Sequence, residues 1–247
     1  MTVDPSLIAV FAAALIAGLV RGFSGFGAAL IFMPVASAAI DPKVAAAAFL
    51  IMDNVLALPL IFRAVSTCRW PTVLPAAAGA ILTVPLGAAI LAAADPVVLR
   101  WGLSGLVLVL LGLLASGLRY SGEPHPAASL AVGGTAGILS GVGQVSGPPM
   151  IAFWVAGPYA PAVIRANMIM FFAIVSIAAV LAYAWNGFFS GEVGQTIVIF
   201  APVYAVALYI GARLFGRAPE RYYRRIAYAI IALAAITSLP ILDGVLR

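Results

Sequence analysis

Long apolar runs, broken by a few charges and by clusters of Gly and Pro, divide the chain into about ten segments. The first covers 5–20 and is followed by Arg21 and a glycine run, GFSGFG at 22–27; the second continues to 40. Asp41, Pro42 and Lys43 mark a turn before the third, 44–62. The fourth spans 71–94 and the fifth 97–118, with Asp95-Pro96 between them. A polar stretch at 119–126, RYSGEPHP, is the natural linker between two halves. Segments six (127–139) and seven (150–156) flank a second glycine run, GVGQVSGPP at 141–149. Eight, nine and ten cover 161–185, 193–214 and 226–242. A helical crossing of a bilayer takes about 20 residues at about 1.5 Å each. Segments three, four, five, eight, nine and ten reach that length or nearly so. One, two, six and seven are short, and either span part of the membrane or pair as re-entrant hairpins.

The halves echo one another. A shift of 119 places lays Gly18 on Gly137, Gly22 on Gly141 and Pro42 on Pro161; a slightly larger one lays Gly87 on Gly211. Chance alignment of Gly- and Ala-rich stretches explains any one match. A near-constant offset across separate landmarks favours duplication, with repeats at 1–121 and 122–247.

Composition agrees with the pattern. The chain is 64% hydrophobic and 9% charged, with mean hydropathy +1.16; this is an all-α polytopic membrane protein. A net charge of +5 would suit nucleic acid in a soluble domain. Here loop arginines account for it, so the expected partners are the bilayer and a small solute, with no nucleic acid. The residues before the first run include Asp4 and no Lys or Arg, so that run reads as a membrane segment and not a cleaved signal. With the N-terminus outside, the inner loops hold Arg21, Arg63, Arg69, Arg119, Arg165, Arg213, Arg217, Arg221, Arg224 and Arg225, and the outer side only Lys43, Arg100 and Arg247. That bias follows the positive-inside rule. Five segments per half make the repeats inverted and put both termini outside. Trp70, Trp101, Trp154 and Trp185 sit near segment ends, as interfacial aromatics do.

Candidate chemistry is sparse. One cysteine and one histidine give no disulfide within the chain, no metal cluster and no cofactor site. An intramembrane enzyme would need a nucleophile with its base, and the chain offers no such set. Matched interruptions in two halves point instead to a transporter's substrate site. A helix broken inside a membrane leaves N–H and C=O groups that hydrocarbon cannot satisfy. The half-helix after the break aims free N–H groups and a positive dipole end at the gap, which suits an anion. Gly22, Ser24, Gly25, Gly27, Gly143, Gln144, Ser146, Gly147 and Pro148 are the substrate-binding candidates on this argument; close helix packing through small residues is the other use of such runs. Asp53, with Asn54 beside it, stands mid-segment. It serves either as a proton carrier or as a hydrogen-bonded lock between helices. Asn167 is a further coupling candidate, and Arg165, within a turn of Pro161, fits an inner-surface anchor.

The runs at 22–27 and 137–149, GILSGVGQVSGPP, together with Pro34, resemble the TauE/SafE sulfite-exporter family (the 4-toluene sulfonate uptake permease family) over essentially the whole chain. Phe26, Gln144, Val145 and Ser146 stand where that family is richer in glycine. The resemblance implies export of sulfite, sulfonates such as sulfoacetate, or other small organic anions across the bacterial inner membrane. The alternative function is a passive anion channel or uniporter.

Overall fold

The computed structural model describes residues 5–116 and 122–215. The tenth segment, the basic run at 217–225 and the start of the linker lie outside the described residues. Within them the chain forms α1 (Pro5–Ser24), α2 (Ala28–Ala39), α3 (Pro42–Ala64), α4 (Trp70–Ala93), α5 (Pro96–Ala115), α6 (Pro126–Gly143), α7 (Gly147–Val155), α8 (Pro161–Trp185) and α9 (Gly191–Leu214). Polar–Pro pairs start three of them. Asp41, Asp95 and His125 accept from the backbone N–H groups two residues on, at 2.7, 2.8 and 3.2 Å. The proline that follows each has no N–H to leave unpaired. Among the described residues, α1, α3, α4, α6, α8 and α9 are long and apolar enough to cross a membrane.

Two of the segments expected to be short are not. α1 runs through Arg21 and Gly22 to Ser24, making 20 residues, and α6 runs through Gly137 and Gly141 to Gly143, making 18. The physical reason is that the glycines within them are packing surfaces. A Cβ on Gly18 or Gly22 would strike the carbonyls of Tyr204 or Leu208 in α9. One on Gly137 or Gly141 would strike those of Ala80 or Val84 in α4. Backbones this close pack by dispersion along a seam where no side chain fits. The order of contacts makes α1 parallel to α9 and α6 parallel to α4. Gly211 likewise meets Leu19 in the first seam, and Gly87 meets Ile138 in the second.

Each short helix doubles back on the long one before it. Phe11 of α1 and Phe32 of α2 both meet the Phe200 ring, at 4.8 and 6.3 Å. At the other hairpin, Ser129 of α6 and Trp154 of α7 both reach the Thr72 hydroxyl, at 3.3 and 3.1 Å. Trp154 is therefore no interfacial aromatic. It is fully buried, because Thr72 supplies the partner its indole N–H needs. Trp185 by contrast is 92% exposed, and Phe62, Leu82 and Val198 are three-quarters exposed; an apolar outer surface of this kind suits a hydrocarbon surround.

The seams predict a contrast. Gly133 packs so tightly on the Ala76 carbonyl that a Cβ has no room, whereas Gly105 in α5 has nothing within 4 Å. Gly133→Ala is expected to destabilise by about 1–3 kcal/mol through overpacking. Gly105→Ala is expected to be neutral or to stabilise by up to about 1 kcal/mol through helix propensity. Thermal melting of the two purified variants checks both.

Candidate functional site

The hairpin tips follow the ends of α1 and α6 and stand level with the middles of α3 and α8. At the first, Gly25 and Gly27 adopt φ of +78° and +89°, the left-handed region glycine enters freely. The Ser24 hydroxyl accepts from the Phe26 N–H at 3.1 Å and closes the turn. Gly25 rests against Arg165 and Ile169 of α8. At the second tip, Gln144 takes φ +59°, unusual for a residue with a Cβ. Its Nε2 donates to the Ser140 carbonyl at 3.0 Å and to the Tyr183 hydroxyl at 3.2 Å. Tyr183 in turn donates to the Gly141 carbonyl at 2.8 Å.

Between the tips lies a cavity of about 30 Å³, room for a water or two. Its walls bring in the start of α2 (Gly27, Ala28, Ala29, Leu30), the start of α7 (Gly147), the second tip (Ser140, Gln144, Val145), and Asp53, Asn54, Phe172 and Ser176 from the middles of α3 and α8. The start of α2 is a helix N-terminus with orphan N–H groups. At α7 the prolines at 148 and 149 remove two such groups, leaving Gly147 and Met150 as donors. Four pairs of lining residues stand 119 apart: Arg21 and Ser140, Phe26 and Val145, Ala28 and Gly147, Asp53 and Phe172.

Arg21 is the main departure from the sequence reading. It was expected in an inner loop and is instead 3% exposed on the cavity wall. Its Nε donates to both Asp53 oxygens, at 2.9 and 3.1 Å. Its Nη1 donates to the Gly25 carbonyl, and its guanidinium lies 4.8 Å from the centre of the Phe172 ring. Tyr204 donates its hydroxyl to Asp53 Oδ1. A buried cation persists only when paired and hydrogen-bonded, and both conditions are met here. Arg165, expected as an inner-surface anchor, is tied to the first tip. It donates to the Gly22 and Phe23 carbonyls, at 2.7 and 3.1 Å, capping the C-terminal end of α1.

Of the candidates read from sequence, the cavity thus gathers Gly27, Gln144, Gly147, Asp53 and Asn54. Gly22 lies in the α1–α9 seam, Ser24 and Gly25 shape the first tip, and Gly143, Ser146 and Pro148 shape the second. Asn167 is fully buried away from the cavity, where its Oδ1 accepts from the Arg69 N–H at 2.7 Å. Arg21, Ser140, Phe172, Tyr183 and Tyr204 are not among the site residues expected from sequence, where Arg21 reads as an inner-loop charge and Phe172 only as the repeat counterpart of Asp53. The 119-place offset was the available signal for two of them, since it carries Arg21 onto Ser140 beside the second run and Asp53 onto Phe172.

Doubled-back helices whose ends meet at a polar cavity, inside a body of long apolar helices, are the arrangement of a membrane transporter's substrate site. Comparison with known proteins names the kind. Residues 10–238 match the family model described as Sulfite exporter TauE/SafE. A protein of Cupriavidus necator named "Probable sulfite/organosulfonate exporter TauE" is 30% identical over 236 residues, covering 90% of this chain and 89% of that one. No solved structure matches. The chain belongs to the TauE/SafE sulfite-exporter family: a multi-pass membrane transporter, not an enzyme.

Proposed function

We propose that the protein is a secondary transporter exporting sulfite, sulfonates such as sulfoacetate, or related small organic anions across the bacterial inner membrane. The anion binds at the cavity between the hairpin tips, which has to widen beyond its present volume of about 30 Å³ to admit it. The observation that carries this reading is the convergence of the α2 and α7 N-termini on one cavity that also holds Arg21. Two helix starts and a guanidinium are anion-seeking groups, and glycine at 27 and 147 lets the backbone approach a ligand closely. On this reading Gly27 and Gly147 bind substrate together with Arg21 and Ser140, and Gln144 and the other run residues hold the tips in shape.

The matched seams and the lining residues 119 apart support two inverted repeats, 1–121 and 122–247, within a single transporter domain. The two hairpins then enter from opposite faces, with both termini periplasmic by the distribution of arginines. The experiment is flux into proteoliposomes of sulfite, sulfoacetate and a plain carboxylate, with and without an imposed pH gradient. Uphill movement of a sulfur oxyanion is the expected result. Movement that only follows the anion's own electrochemical gradient makes the protein a channel or uniporter. Movement of none of the three removes the substrate class.

A further inference from the structure

We propose that Arg21 is the charge partner of the transported anion, that the Asp53 carboxylate competes with the anion for it, and that one proton on Asp53 accompanies each anion bound. This deepens the transporter reading above and rests on it. Among the described residues, Arg21 is the one cationic side chain in the cavity wall, and it is engaged by Asp53 through both carboxylate oxygens. An anion entering beside that pair would put two negative groups against one guanidinium at a point where both side chains are buried, Arg21 3% and Asp53 6% exposed. Such an excess charge is costly to bury. Protonating Asp53 removes it: the carboxyl keeps a hydrogen bond with Tyr204, and the guanidinium face turned to the cavity is left for the anion.

Among the described residues, no other group near Asp53 is placed to take the role: on α3 itself Lys43 stands in the first turn, bonded to the Ala92 carbonyl, and Arg63 in the last. α2 and α4 carry no ionisable side chain, and α5 carries only Arg100, one turn from its start. On α8, Arg165 is committed to the end of α1 and Tyr183 to Gly141. On α9, Tyr209 bonds to the Leu56 carbonyl, Glu192 and Arg213 lie in the first and last turns, and Tyr204 already touches Asp53. α1 contributes Arg21 alone. The positions matched to Arg21 and Asp53 in the second half are Ser140 and Phe172, both uncharged, so the pair exists on one side of the cavity only.

The competing account is a structural lock, in which the pair only ties α1, α3 and α9 together. The test uses reconstituted full-length wild type, Asp53→Asn, Arg21→Lys and the charge-neutral double variant Arg21→Gln/Asp53→Asn, with methanesulfonate as probe because its single acid group stays ionised across the neutral range and balances one guanidinium. Wild-type apparent affinity is expected to rise on acidification, towards a limit of about tenfold per pH unit for one proton per anion. Asp53→Asn is expected to bind at the wild type's acidic-side affinity at every pH and to lose pH-driven accumulation. Arg21→Lys is expected to retain measurable flux. The double variant removes both charges, so it is expected to melt like wild type yet to lose about a hundredfold in flux. Wild-type flux from a folded double variant, or an unchanged pH slope in Asp53→Asn, overturns this inference and leaves the transporter standing. A wild type that moves neither methanesulfonate nor sulfite overturns both.

Discussion

Arg21→Gln alone is expected to lower the stability of the folded protein by about 3–5 kcal/mol, and Asp53→Asn on top of it is expected to restore most of the loss. The single change leaves a carboxylate, 6% exposed, facing the cavity with only the Tyr204 hydroxyl to hold it. That penalty is the desolvation of an unpartnered charge, not the strength of the bond removed. Taking away the second charge deletes the penalty, and a Gln–Asn pair can still bridge α1 and α3 through neutral hydrogen bonds. Chemical unfolding of the four proteins of this double-mutant cycle measures the coupling. Asp53→Asn alone strands the buried guanidinium in the same way, so a coupling near the sum of the two single losses is the expected result; additive losses would mean that the two side chains act independently despite the 2.9 Å contact.

Why that pair was hidden from the sequence is a matter of distance along the chain. An arginine ending an apolar run beside glycines has the look of a membrane boundary, and positive-inside counting absorbs it as such. Its partners stand 32 positions away at Asp53 and in α9 at Tyr204, and nothing local announces them. Elements with strong local signals were legible. Segments three, four, eight and nine match α3, α4, α8 and α9 to within two residues at either end, because Asp-Pro, Ala-Pro and charged breaks punctuate them. The glycine runs were legible as interruptions, but the work of each glycine was not. Gly22 and Gly27 share one run, yet the first meets the Leu208 carbonyl inside a helix and the second turns the chain at φ +89°. Only the neighbouring helix decides between those roles. Trp154 misled for the same reason, since its place at a segment end says nothing of the Thr72 hydroxyl waiting across α4.

Gln144→Gly is expected to leave stability within about 1 kcal/mol of wild type while reducing anion flux tenfold or more. Two opposing terms set the first half. A residue with a Cβ in the left-handed region costs about 1–2 kcal/mol relative to glycine, so the substitution relieves strain at the C-cap of α6, where glycine is the common choice. Against this, it deletes the hydrogen bonds from Nε2 to Ser140 and Tyr183, each worth about 0.5–1.5 kcal/mol. Tyr183 keeps its bond to the Gly141 carbonyl, so the α6–α8 contact survives. The second half follows from what Gln144 offers the cavity. With Nε2 committed to two protein acceptors, its position is fixed, and its wall of the cavity is polar and narrow. A glycine there widens the tip and loosens the turn that leads into Gly147 at the start of α7, so Gln144 acts through the turn it fixes, both N–H groups of its side chain being committed to protein acceptors. Strain kept where glycine would be easier is a mark of use. Melting temperature and initial sulfite flux, measured on the same preparation, separate the outcomes. Lost flux with an unchanged melting temperature makes Gln144 a positioning residue of the binding site. Wild-type flux would mean that the turn it fixes does not matter to transport.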